Sequence, residues 1–144
     1  MKSVVELDIN VGQAKVAELF TDPQRNPEWM DDVERIEPVG GDLGKPGSRY
    51  RLVPKQGNLT FVARIISREL PTEAKLILDA PSISVSVTGK FIALSEVSTR
   101  LVSEEIFIFK GIFWKLRGLF ARGAIRGAHR RHMESFKRFA ERQA

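Results

Sequence analysis

At Gly111 the hydrophobic pattern of the chain changes period, and this change constrains the fold more than any other feature. Before it, Ile83 to Leu94 and Thr99 to Phe109 alternate apolar with polar side chains over long runs, as strands with one buried face do. After it, no proline occurs up to Ala144 and helix formers dominate. At about 100° per residue, Trp114, Gly118, Ala121, Ile125, His129, His132, Phe136, Phe139 and Ala140 share one face, so one long helix is expected to close the chain. Two long strands joined by the short Ser95-Glu96-Val97-Ser98 link, then a helix with an apolar stripe along its length, must pack helix on sheet.

The earlier residues extend that sheet. Val5, Leu7, Ile9 and Val11 alternate with Glu6, Asp8 and Asn10, which predicts a first strand over Val4 to Val11. Gly12 breaks it. Ala14, Val16, Ala17, Leu19 and Phe20 then fall at helical spacing until Asp22-Pro23, and Asn26-Pro27-Glu28-Trp29-Met30 reads as a second short helix or tight loop with Trp29 as a core anchor. Val33 to Val39 and Arg49 to Val53 flank a Gly- and Pro-rich turn. Leu59 to Leu70 places Phe61, Ala63, Ile65 and Ser67 on its inner face, and Ala74 to Asp79 is a further strand. Short connections between sequential strands mean an antiparallel meander. The expectation is one α+β domain over residues 1–144, with an antiparallel sheet of six or seven strands, two short helices after the first strand and a long C-terminal helix. Such a sheet twists and curls, and one helix cannot fill its concave face, so a cavity is expected.

Composition narrows the chemistry. There is no cysteine, which excludes a disulfide, a thiolate nucleophile and a Cys-based metal site. No Ser-His-Asp, phosphate-loop or dinucleotide motif is present. The longest apolar stretch, Ile106 to Trp114, is interrupted by Lys110 and is far shorter than the ~20 residues that span a bilayer. Glu6 follows Met1 too closely for a secretory h-region, which sets the cytoplasm as the expected compartment. The net charge of +5 is uneven: ten Lys and Arg against two Glu from Lys110 to Ala144 give a local +8, and the rest of the chain carries −3. A basic tail suits nucleic acid, an anionic membrane surface or an acidic partner. Against nucleic acid, the helix offers no exposed aromatic platform and no groove-reading motif.

Few side chains can carry acid–base chemistry. His129 and His132 lie three apart on the sheet-facing stripe, where imidazole could act as a general base or orient a ligand. They supply only two metal ligands and His-Glu-x-x-His is absent, so neither a metal nor another cofactor is expected. Glu104 and Glu105 sit mid-strand, so one carboxylate must face the sheet's inside and the other solvent. Leu101, Ser103, Glu105, Phe107 and Phe109 compete with Val102, Glu104, Ile106 and Ile108 for the inner face, and alternation alone leaves the choice open. Arg49, if inward, could hold an anionic head group at a cavity mouth.

Several segments carry a family resemblance: Asn26-Pro27-Glu28-Trp29 running into Val33-Glu34-Arg35-Ile36, Gly47-Ser48-Arg49 opening a strand, and Gly89-Lys90-Phe91 with Ser98-Thr99-Arg100 in the last hairpin. With the order of elements, they resemble the START/Bet v 1-like (SRPBCC) superfamily, and more narrowly its polyketide cyclase/dehydrase-like branch. The resemblance implies a helix-grip fold whose cavity, between sheet and terminal helix, takes a hydrophobic small molecule or lipid. Phe61, Ala63, Ile65, Val85, Val87, Phe91, Ile125, His129 and Phe136 are then the candidate lining residues, with Arg49 at the mouth. Ligand binding without catalysis is the leading expectation. The alternative is a cyclase or dehydrase that uses His129, His132, Glu104 or Glu105 as acid or base.

One apolar set is left over. Ile112, Phe113, Leu116, Leu119 and Phe120 lie opposite the sheet-facing stripe, and one helix cannot bury both faces in one sheet. The set is expected to meet an anionic membrane, a second copy of the chain or another part of the protein.

Overall fold

Strand alternation translates directly into one sheet. The computed structural model describes residues 1–144, with β1 (Lys2–Ile9), α1 (Gln13–Thr21), a 3-10 turn (Pro23–Arg25), α2 (Asn26–Trp29), β2 (Val33–Gly40), β3 (Arg49–Pro54), β4 (Phe61–Glu69), β5 (Glu73–Asp79), β6 (Ile83–Ser95), β7 (Ser98–Phe109), α3 (Ile112–Phe120) and α4 (Arg122–Arg142). Seven antiparallel strands run in the order β1-β7-β6-β5-β4-β3-β2. Every strand from β2 to β7 pairs with its sequence neighbour, and β1 closes onto β7, from Lys2 opposite Ile106 to Ile9 opposite Thr99. The first strand therefore begins and ends two residues earlier than alternation predicts. Val11 has left the ladder, and its carbonyl accepts a 2.7 Å bond from the buried hydroxyl of Thr99.

Pairing settles the face of β7. Thr99, Leu101 and Ser103 are fully buried and Glu105, Phe107 and Phe109 follow them inward, while Val102, Glu104, Ile106 and Ile108 point out. Glu104 meets Lys2 at 3.3 Å on the outer face. In β4 a bulge between Ile65 and Ser67 interrupts alternation. Ile66 is exposed, whereas Ser67 and Arg68 both reach the inner side.

The concave face is filled from one end by α1, α2 and α4. Phe136 of α4 is fully buried and meets Phe20 and Trp29 edge-on, with ring centroids 5.1 and 5.0 Å apart, while Phe20 also stacks on Trp29 and meets Phe91 edge-on. Ser135 ties α4 to α2 by donating to the Trp29 carbonyl at 2.8 Å. Gly89 of β6 makes room for this cluster, since a Cβ there would lie 2.9 Å from Phe20 Cε1. Gly89→Ala is expected to cost about 1–3 kcal/mol, because Phe20 is packed on the other side by Trp29 and Phe136 and cannot swing away. Urea denaturation measures this, and an unchanged midpoint would show that the cluster yields.

The single terminal helix expected from Gly111 onward is two helices. Gly111, at φ 85°, turns the chain off β7, and α3 then lies on the end of the sheet with Gly118 against the Phe109 ring. A Cβ at Gly118 would stand 2.5 Å from Phe109 Cε2, so glycine is what allows the seat. At Ala121 (φ −95°, ψ 5°) the helix tightens, and the Ala121 amide donates to both the Arg117 and Gly118 carbonyls before α4 sets off. No helix of the chain is long and apolar enough to cross a membrane.

Candidate functional site

Between the aromatic cluster, α4 and the middle of the sheet lies a narrow cavity of about 60 Å³ that opens to solvent at its mouth. Its apolar wall includes Phe20, Trp29, Met30, Leu52, Ile65, Leu76, Leu78, Val87 and Met133. Among these, Ile65 and Val87 are expected lining residues. Ala63, Phe91 and Phe136 are buried in the two core clusters behind the wall, and Val85 is buried without reaching it. Phe61 packs against the smaller core cluster and Ile125 is half-buried, both off the cavity. Arg49 is exposed, its guanidinium against Gly40, because in β3 the neighbouring Tyr50 takes the inward position. The anion-holding role expected for Arg49 at the mouth has no geometry to support it.

The polar groups on the wall come from distant parts of the chain. Glu105 enters from β7, opposite Val87 on β6 and Ser3 on β1, and its side chain is only 15 % exposed. Burial without a compensating cation pushes its carboxyl up to about 7, so near neutral pH it exists in both protonation states. His132 lines the same cavity from α4. Tyr50 is almost wholly buried, which pushes its phenol up to about 12 against the opposing influence of the Asn26 amide. Trp29 contributes an indole N–H that is buried and has no acceptor in the protein. Lys75 and Arg68 stand on the wall as well, with Arg68 held by bonds to Thr21 Oγ1 and the Gly44 carbonyl.

His129 takes a different place from its neighbour. Its ring is buried behind the wall, with Nδ1 2.8 Å from Ser3 Oγ and Nε2 2.9 Å from Ser103 Oγ. Burial, with positive charge from His132 and Arg130 opposing a second cation, pushes it down to about 4. It is therefore a neutral imidazole that clamps β1 and β7 to α4. Glu105 Oε2 lies 3.8 Å from Nε2, close enough to feel the ring and too far to bond it. Glu104 stays outside. Of the four acid–base candidates, the structure brings Glu105 and His132 together on the wall. Sequence reasoning missed Asn26, Tyr50 and Met133 as wall residues, and it took Trp29 for core alone. No three His, Asp or Glu side chains gather where they could share a metal.

No protein-family model matches the chain, and no curated protein does. Solved structures do. The Zhui aromatase/cyclase of Streptomyces sp. R1128 superposes with a TM-score of 0.78 at 15% identity, covering 99% of this chain and 94% of that one. A protein from Thermus thermophilus gives 0.77 at 15% identity over 100% and 99% of the two chains. A START superfamily protein from Mycobacterium smegmatis gives 0.75 at 12% identity over 99% of both. At such identities the likeness is one of fold.

Proposed function

From a chain with the helix-grip fold of the START/Bet v 1-like superfamily, we propose a protein that binds a hydrophobic small molecule bearing one hydrogen-bonding group. The observation that carries this reading is the cavity itself, lined mostly by apolar side chains, with a protonatable carboxyl at Glu105 and, on the lining residue Trp29, a buried indole N–H that has no acceptor. The aliphatic wall takes the body of the ligand by removing its surface from water. Trp29 and Glu105 fix its polar end, because a buried donor without an acceptor gains a full hydrogen bond when a ligand supplies one.

Native mass spectrometry of the protein purified from its own host is expected to show a stoichiometric apolar adduct. An apolar naphthalene fluorophore should bind one to one and compete with that adduct. Leu76→Trp, which fills the cavity from a half-buried position, should weaken fluorophore binding about tenfold or more, the equivalent of about 1.4 kcal/mol. Unchanged binding by that variant would place the ligand elsewhere and sink the reading.

Glu105 favours a second reading, a cyclase- or dehydrase-like enzyme. A carboxyl that titrates near neutral pH inside an apolar cavity can take a proton from a bound substrate and return it. Glu105→Gln separates the two, since it keeps the shape of the wall and removes the base. Turnover lost with binding kept supports the enzyme.

A further inference from the structure

We propose that α3 docks on an anionic lipid surface, lying in the plane of the headgroups with its outer face in the acyl boundary. The observation is an apolar helix face that the rest of the chain leaves bare: Phe120 is 88 % exposed, Ile112 79 % and Phe113 63 %, with Leu116 and Leu119 beside them. Because Gly118 seats the helix on Phe109, the opposite side is turned away from the protein. At about 100° per residue these five side chains fill one continuous arc, and Lys115 and Arg117 fall just beyond its two edges. An apolar arc bordered on both sides by long cations is the form that enters a membrane interface, with the cations reaching back to the phosphates.

Charge selects the occupant. Between Ile106 and Met133 there is no Asp or Glu, and Lys115, Arg117, Arg122, Arg126 and Arg131 form no ion pair. A second copy of the chain would bring this basic patch against itself across a two-fold axis, where like charges repel. An anionic lipid surface accepts the apolar arc and the cations together. The position also suits the cavity, for Phe107 and Phe109 continue the inner face of β7 beyond Glu105, and α3 lies over Phe109, roughly 14 Å from Glu105 at about 3.4 Å per residue. Docking does not depend on whether the cavity holds a ligand.

Flotation with vesicles of phosphatidylglycerol and phosphatidylcholine tests this. The protein should float with them at low salt, release as salt rises and ignore vesicles of phosphatidylcholine alone. Phe113→Asp/Phe120→Asp should abolish flotation with no change in melting, since neither ring is part of the core. Lys115→Gln/Arg117→Gln, which alters only exposed side chains, should weaken binding roughly thirtyfold and decides the matter if the first variant fails to fold. A parent that ignores acidic vesicles at low salt overturns the proposal, as does a charge variant that binds like the parent. It also falls if sedimentation velocity finds a parental dimer that the aspartate variant splits, because the occupant is then a second copy.

Discussion

Glu105→Gln is expected to make the protein more stable than the parent above pH 7, by about 3 kcal/mol, and less indifferent to pH below it. Burial raises the Glu105 carboxyl from 4.5 to about 7, so the folded chain holds a proton that the unfolded chain releases, and stability falls as pH climbs through that window. His129 runs the other way. Lowered from 6.5 to about 4, it leaves the folded chain short of a proton that the unfolded chain binds, and stability rises with pH over that window. Between about pH 4.5 and 6.5 the two slopes oppose each other, and the parent should be nearly flat there. Taking away the carboxyl leaves the histidine slope alone, so the variant should gain stability steadily from pH 4 to 6.5. Urea midpoints at half-unit pH steps measure both curves, and parallel curves for parent and variant would show that Glu105 is not buried as described.

Phe136→Ala should have the largest effect on the fold. The side chain is fully buried at the meeting point of Phe20, Trp29 and Phe139, and removing it costs the transfer of a ring and leaves a void among rings that cannot close over it. A loss of about 3–5 kcal/mol is expected, which in a domain of this size lowers the melting temperature by roughly 10–16 °C. Fluorophore binding should weaken with it, because two of the neighbours, Phe20 and Trp29, are cavity wall. The control is Phe113→Ala on α3, which should leave melting where it was. A loss under about 1 kcal/mol for Phe136→Ala would mean that the cluster repacks.

These two residues mark how far the sequence could be read. Phe136 was legible, because helical spacing from Trp114 to Ala140 is a local property and the sheet-facing stripe is real in α4. The strands were legible for the same reason, to within two residues at their ends. Glu105 was only half legible. Leu101 to Phe109 and Val102 to Ile108 are both apolar enough to face a core, and the choice rests on pairing with β1 and β6, which no local pattern contains. The two histidines show the limit more sharply. Helical spacing puts both on one face, yet His129 meets Ser3 and Ser103 behind the wall and His132 meets the cavity, because the partners arrive from opposite ends of the chain. The break at Ala121 falls between Gly118 and Gly123, which helical spacing alone counts as small residues of one continuous helix, whereas the seat of Gly118 on Phe109 is a tertiary contact that spacing does not contain. Ser67 lies on the inner side as alternation predicts, while Arg68 joins it there beside a bulge that alternation conceals.

The pairing of β1 with β7 has a consequence in time. Strands β2 to β7 join by local hairpins, whereas Ile9 opposite Thr99 and Lys2 opposite Ile106 join positions roughly a hundred residues apart. Closing a loop that long costs about 2 kcal/mol more than closing one of ten residues, so the first strand to be synthesised should be among the last to find its place. Until β7 has emerged, β1 has no edge to join, and until β1 arrives, His129 lacks Ser3. A pulse of hydrogen exchange during refolding should therefore protect the amides of β5 and β6 before those of β1, and the histidine clamp should close as the concluding step.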